Sequence, residues 1–160
     1  MLLTKSLSHP TTTFDQLAAQ DFMQAARQAI WRDLLSWLTR KNNNLLPFEY
    51  ARQQVSFKGQ HQLGFDAVSL DKIVGSVNRY LDFDRAFFPR QSHTKDRWLN
   101  IDRAYYNDIA LPPVELLKVG EMYFVSDGHH RISVARARGQ EFIDANVTEI
   151  DASASVLLNQ

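Results

Sequence analysis

The sequence predicts an α+β fold, a small mixed sheet with packed helices, preceded by a long N-terminal α-helix. Three observations predict it. Apolar residues from Phe14 to Leu38 recur with the 3.6-residue period of a helix. Between residues 65 and 150, short runs containing β-branched residues are separated by turn signals and by shorter helical stretches. Within that region Tyr123 to Gly139 reads as strand, tight Asp-Gly turn and helix. With 44% hydrophobic and 11% aromatic residues, a chain of 160 has enough apolar surface for a core. The reading divides it into an N-terminal helical extension and connector (1–64), a domain (65–150) and a C-terminal tail (151–160).

Composition also excludes functions. Formal net charge is zero, so no global field draws in nucleic acid, and DNA as a partner is disfavoured. The absence of cysteine removes disulfides, thiol nucleophiles and thiolate metal sites. Leu2 and Leu3 are followed at once by Lys5, too short a run for a signal-peptide core, and no segment approaches the roughly 20 apolar residues of a membrane span. The expectation is a cytoplasmic protein without a membrane partner.

In chain order, residues 1–12 form a polar lead-in. Thr13 then caps a helix, with Gln16 completing the capping box. Leu17, Phe22, Ala25, Ala29, Ile30, Leu34, Trp37 and Leu38 carry its period to about residue 40, roughly 40 Å at 1.5 Å per residue. Trp31 and Leu35 widen its apolar face. The helix is read as packed on the domain or on a second copy of itself, a homodimer; a partner protein or a membrane surface is the other reading. Lys41 to Asn44 end it, because asparagine tolerates the left-handed conformation. Phe48 to Gln54 predicts a short helical turn, and Ser56 to Gly64 an exposed loop.

A strand is predicted near 65–70, with Gly75-Ser76 as a turn. Residues 77–98 mix aromatic and charged side chains. They read either as a loop tied down by its aromatics with charges paired locally, or as a specificity loop over the site. Asp96 to Asp108 is helical in period. Leu111 to Val119 is extended, and Pro112-Pro113 imply a strand entered from an edge or a rigid turn. Gly120-Glu121 turns the chain into Met122–Val125. A helix over 129–138 ends at Gly139, and 142–150 alternates as a strand. Residues 151–160 are expected to be loosely held.

The candidate site is Asp127-Gly128-His129-His130-Arg131. Gly128 permits a positive φ or a close approach, and the free N–H groups of a helix start beside Arg131 favour an anion such as phosphate. Adjacent helical residues diverge by about 100°, so His129 and His130 do not chelate one metal ion; one faces ligand and the other the protein. Asp127 orients a histidine, helps hold magnesium, or forms an Asx-turn. Arg136 and Arg138 lie about two turns further along, suited to the helix C-terminus. For a catalytic base, no spacing selects among Asp71, Asp82, Asp84 and Glu115, so the catalytic residue is unassigned.

Four segments carry a family likeness: Val68-Ser69-Leu70-Asp71-Lys72-Ile73, Leu111-Pro112-Pro113-Val114-Glu115-Leu116, the hairpin Lys118 to Val125, and the Asp127–Arg131 motif heading a helix that ends at Gly139. Over residues 65–150 the chain resembles the ParB N-terminal and sulfiredoxin superfamily, whose sheet presents such a loop to nucleotide phosphates. The resemblance implies a nucleoside triphosphate with Mg as cofactor, His130 and Arg131 as the phosphate-binding pair, Gly128 as the loop glycine, and His129 at the variable chemical position. Sulfiredoxins carry cysteine where His129 stands, so thiol repair chemistry is not available. Partition proteins carry a Gly-Glu-Arg-Arg motif and a following helix-turn-helix, yet about twenty residues follow Gly139. The function expected is a nucleotide- or phosphate-binding ParB-like domain with ATP- or CTP-dependent phosphotransferase or hydrolase activity. The alternative is a non-enzymatic DNA-binding or regulatory adaptor. A divalent-metal nuclease stands third, since no carboxylate cluster has metal-ligand spacing.

Overall fold

The computed structural model describes residues 11–154, so the predicted lead-in, apart from Thr11 and Thr12, and the tail beyond Ala154 lie outside the described residues. Four helices and six strands follow in order: α1 (Thr11–Thr39), β1 (Leu46–Pro47), α2 (Phe48–Gln53), β2 (Val55–Ser69), β3 (Ile73–Ser76), α3 (Lys95–Tyr106), β4 (Val114–Val119), β5 (Met122–Asp127), α4 (His129–Ala137) and β6 (Phe142–Ala154). The strands form one mixed sheet in the order β1-β3-β5-β4-β6-β2. β4 runs antiparallel to β5 and parallel to β6, while β3 lies parallel to β1 and β5. The α+β class, the mixed sheet and the long first helix are therefore as expected.

Helix α1 begins at Thr11, which places Thr13 inside it rather than at its cap. Its packed face is the small one: Ala18, Phe22, Ala25 and Ala29 are buried, while Ile30, Leu34, Trp37 and Leu38, expected on the same face, are exposed. Alanine lets the axis approach Trp98 and Leu99 of α3 and Val134 of α4 closely. Arg40, not an asparagine, takes the left-handed φ of 55° at its end. That turn sets Asn43 and Asn44 beside Arg90, whose guanidinium donates to the Asn43 carbonyl at 2.8 Å and to Asn44 Oδ1 at 2.7 Å.

Three predictions about strands are corrected. Residues 56–64, expected as a loop, belong to β2, which pairs antiparallel with β6 along its whole length and crosses residues 64–65 without a break. Its residues are nearly all exposed before Val68, so there is no alternation to read. Gly75 and Ser76 end β3 rather than forming a turn. A Cβ on Gly75 would lie 2.1 Å from the Leu46 carbonyl oxygen and 2.6 Å from the Phe124 ring, so glycine is what lets β1 and β3 approach. Pro112 and Pro113 precede β4, which is an interior strand between β5 and β6; their missing N–H groups fall outside the ladder, so no edge is required.

The main core lies where α4 and the 77–94 segment meet the sheet, around Phe83, Phe87, Leu116, Val125 and Ile132. Phe124 and Ile150 face the other side of the sheet, under α2. The 77–94 segment is tied down as its aromatics suggested. Buried Asp84 accepts from the N–H groups of Ala86 (2.8 Å) and Phe88 (2.9 Å) and from Arg32 Nε (2.9 Å), and Arg90 pairs with Asp33. Arg136, late in α4, and Arg138, just past its end, are packing residues. Arg136 lies over the Phe87 ring and donates to the carbonyls of Leu70 and Ile73, while Arg138 pairs with buried Asp102 at 2.8 Å and lies over Tyr106. Among the described residues no helix is long and apolar enough to cross a membrane.

Candidate functional site

Strand β5 ends at Asp127, and one residue later α4 begins. Gly128 makes the reversal with φ 101° and ψ 21°, and a Cβ there would meet Val114 Cγ1 at 2.5 Å. Both the dihedral and the space demand glycine. The first intrahelical bond is Ile132 N–H to the Gly128 carbonyl at 3.0 Å. The N–H groups of His129, His130 and Arg131 therefore point out of the helix end without an acceptor among the described residues, and no side chain caps them. They open on a cleft of about 300 Å3 lined by residues 127–131 with Arg79, Arg97, Asn100 and Ile101.

The histidines are unequal. His129 turns inward, its ring stacked on Phe83 with centroids 6.2 Å apart, and its Nε2 lies 2.7 Å from Ser76 Oγ. Ser76 Oγ already accepts from the N–H groups of Asn78 (3.3 Å) and Arg79 (3.0 Å), so its own proton goes to Nε2. That fixes His129 as the neutral tautomer protonated at Nδ1. His130 meets Phe83 edge-on at 5.4 Å, and its Nε2 is buried without a hydrogen-bond partner. Burial, reinforced by Arg79 in both cases, lowers each imidazole to about 4, and Arg97 adds to the effect on His130. Both rings are neutral at pH 7.

Arg131 is occupied. Its Nη1 donates to the carbonyls of Pro112 (2.6 Å) and Pro113 (2.9 Å), and its Nη2 to Asp127 Oδ2 (2.7 Å). It fastens the start of α4 to the chain entering β4 and separates the cleft from a neighbouring one of about 470 Å3, lined by Tyr105, Ile109, Leu111 and Phe142 among others. Asp127 is engaged by Arg131 through one oxygen and exposes the other.

Uncommitted positive charge comes from residues the sequence reading did not single out. Arg97, exposed on α3, has no ion-pair partner among the described residues, and Arg79 has only Asp82 at 3.6 Å. Arg79 stood in the recognised aromatic and charged segment, and Ser76 three residues earlier is the signal that could have placed its turn. Of the carboxylates considered for a base, Asp84 is buried in its loop, Asp71 is exposed beside Arg136, and Glu115 accepts from Asn146 at 2.8 Å. Asp82, between Arg79 and His93 (3.5 Å), acts electrostatically on both cleft histidines. Among the described residues, no three side chains of His, Asp or Glu converge as a metal site.

No family model matches the chain, and no curated protein matches it. Among solved structures, sulfiredoxin from Arabidopsis thaliana matches over 52% of this chain and 82% of its own, at 16% sequence identity and a TM-score of 0.40. The likeness concerns backbone arrangement alone, and no residue's role follows from it.

Proposed function

We propose that this protein binds a phosphorylated ligand, a nucleotide by preference, with a phosphate group at the start of α4. The observation that carries the reading is the open helix end. The unpaired N–H groups of His129, His130 and Arg131 face one cleft with Arg79 and Arg97. Helix-end amides each contribute about 0.3–1 kcal/mol toward an exposed anion, and charge-assisted bonds from guanidinium groups exceed neutral ones. The larger cleft across Arg131, lined by Tyr105, Leu111 and Phe142 together with polar groups such as Gln140 and Asp144, offers room for the organic part of such a ligand. A magnesium ion accompanying a triphosphate would have the free oxygen of Asp127 at hand, with phosphate oxygens and water as its other ligands. Phosphotransfer or hydrolysis would draw on Asp82 as base, released from Arg79 when that arginine turns to phosphate.

Thermal melting of the whole chain against nucleotides and inorganic polyphosphates, with and without magnesium, tests the reading. A ligand at 100 times its Kd stabilises by about 2.7 kcal/mol. Arg97→Ala should keep the melting temperature of the free protein, since Arg97 is exposed and unpaired, and should abolish most of the ligand shift. Arg131→Ala is the poorer probe, because it also releases the Pro112 and Pro113 carbonyls. If no phosphorylated compound raises the melting temperature, or if Arg97→Ala retains the full shift, the assignment is wrong. Nucleotide turnover lost in Asp82→Asn with the shift retained would separate chemistry from binding.

A further inference from the structure

The second half of α1 displays an apolar surface that the fold leaves uncovered. Met23, Ile30, Trp31, Leu34, Leu35, Trp37 and Leu38 are between 44% and 75% exposed. At 100° per residue they fall within an arc of roughly 160°, opposite the packed line Ala18, Phe22, Ala25 and Ala29; exposed Arg27 sits on the centre line of that arc and sets Met23 apart, so the uninterrupted face runs from Ile30 to Leu38, about 12 Å along the axis. Scattered exposed apolar residues need no explanation; a continuous face carrying two tryptophans does.

We infer that this face pairs with the same face of a second copy of the chain, the two α1 helices lying antiparallel about a twofold axis near Leu34. The area fits a stable dimer. From Ile30 to Leu38 the apolar residues expose the equivalent of rather under four whole side chains, near 200 Å2 apiece for large ones, so each copy contributes roughly 700 Å2. Two copies bury about 1,400 Å2, within the range of a specific interface. The sequence is also self-complementary about that axis: residues 30 and 38 exchange across it, as do 31 and 37, so large apolar groups meet large apolar groups in an isologous contact. Charge sets the character of the contact. Among the described residues the nearby acids Asp33 and Asp84 are already paired with Arg90 and Arg32, while Arg27, one turn before Ile30 on the same face, and Arg40 and Lys41 beyond Leu38 have no ion-pair partner, so both ends of the face are basic. Two copies bring like charges together at the rim, and salt should strengthen the dimer by screening them.

Sedimentation velocity of the full chain across a concentration series is the test. A concentration-dependent dimer is expected, unchanged or tightened by added salt. Leu34→Glu should weaken it at least about thirty-fold, as removal of a central hot spot does, while circular dichroism stays that of the parent because the half-exposed Leu34 is not a core residue. Since the chain has no cysteine, Leu34→Cys adds an independent reading: mild oxidation should cross-link copies, and Gln62→Cys, on the exposed part of β2, should not. A chain that remains monomeric at all concentrations overturns the inference. So does a monomer that cosediments with phosphatidylglycerol vesicles and is released by salt, or a dimer that Leu34→Glu leaves intact.

Discussion

At the scale of single residues, the site depends on Gly128. Alanine there must adopt a left-handed backbone and overlap Val114 Cγ1, a combined cost of roughly 2–4 kcal/mol. Urea denaturation should show Gly128→Ala destabilised by that amount; a change indistinguishable from zero would mean that the reversal tolerates a side chain. The five contiguous residues 127–131 were legible in the sequence because turn, charge and helix start lie side by side. Ser76, Arg79 and Arg97 were not. Ser76 lies 53 residues from the histidine it bonds, and only the parallel pairing of β3 with β5 brings them together. Nor does sequence reveal how a guanidinium is spent: Arg131 looked like an anion ligand, and the fold sets it against two carbonyls and a carboxylate.

At the scale of elements, α4 is held from both sides, and this is what fixes the direction of its open end. Ile132 and Ala135 face the sheet, while Val134 packs against Trp98 and Phe22. Trp98 Nε1 also donates to Ser133 Oγ at 2.9 Å in the fully buried seam between α3 and α4. Trp98→Phe leaves that hydroxyl without its donor and opens a small void, so equilibrium unfolding should show a loss of about 1–3 kcal/mol. A loss indistinguishable from zero would mean that the α3 and α4 contact does not position the site. The period of α3 was readable because that helix has an inner and an outer side, whereas α4 was marked by its turn and its closing glycine, and the period of α1 gave a helix without giving its packed face. The first part of β2 was not, because a strand exposed on both faces has no alternation and is defined only by its partner β6.

At the scale of the whole molecule, buried titratable groups give stability a definite pH dependence. His129 and His130 hold folded-state values of about 4 against 6.5. The unfolded chain therefore takes up protons first, and stability present above pH 6.5 is lost as pH falls toward 4, on the order of 3 kcal/mol for each ring. Asp102 acts in the opposite sense. Burial lifts its carboxyl from 3.8 to about 6, so its contribution is present at low pH and is lost as pH rises through 6. Two histidines outweigh one aspartate of comparable shift, and net stability should drop between pH 7 and pH 5. In Asp102→Asn, which lacks the compensating protonation, the drop should be steeper; denaturation curves at the two pH values of both proteins check the order.

The α+β class, the long first helix, the Asp-Gly reversal and the helix start that follows it are legible in the chain itself. These rest on local chemistry: the period of apolar residues, the freedom of glycine, and the amides that every helix leaves unpaired at its beginning. Tertiary structure alone decided which histidine is bonded and which is not, which arginines remain uncommitted, and which face of α1 is covered. Those outcomes turn on what lies opposite each side chain. In α1 apolar residues occupy nearly the whole circumference of the second half, and only the partner elements show that the alanines face inward while the tryptophans face water.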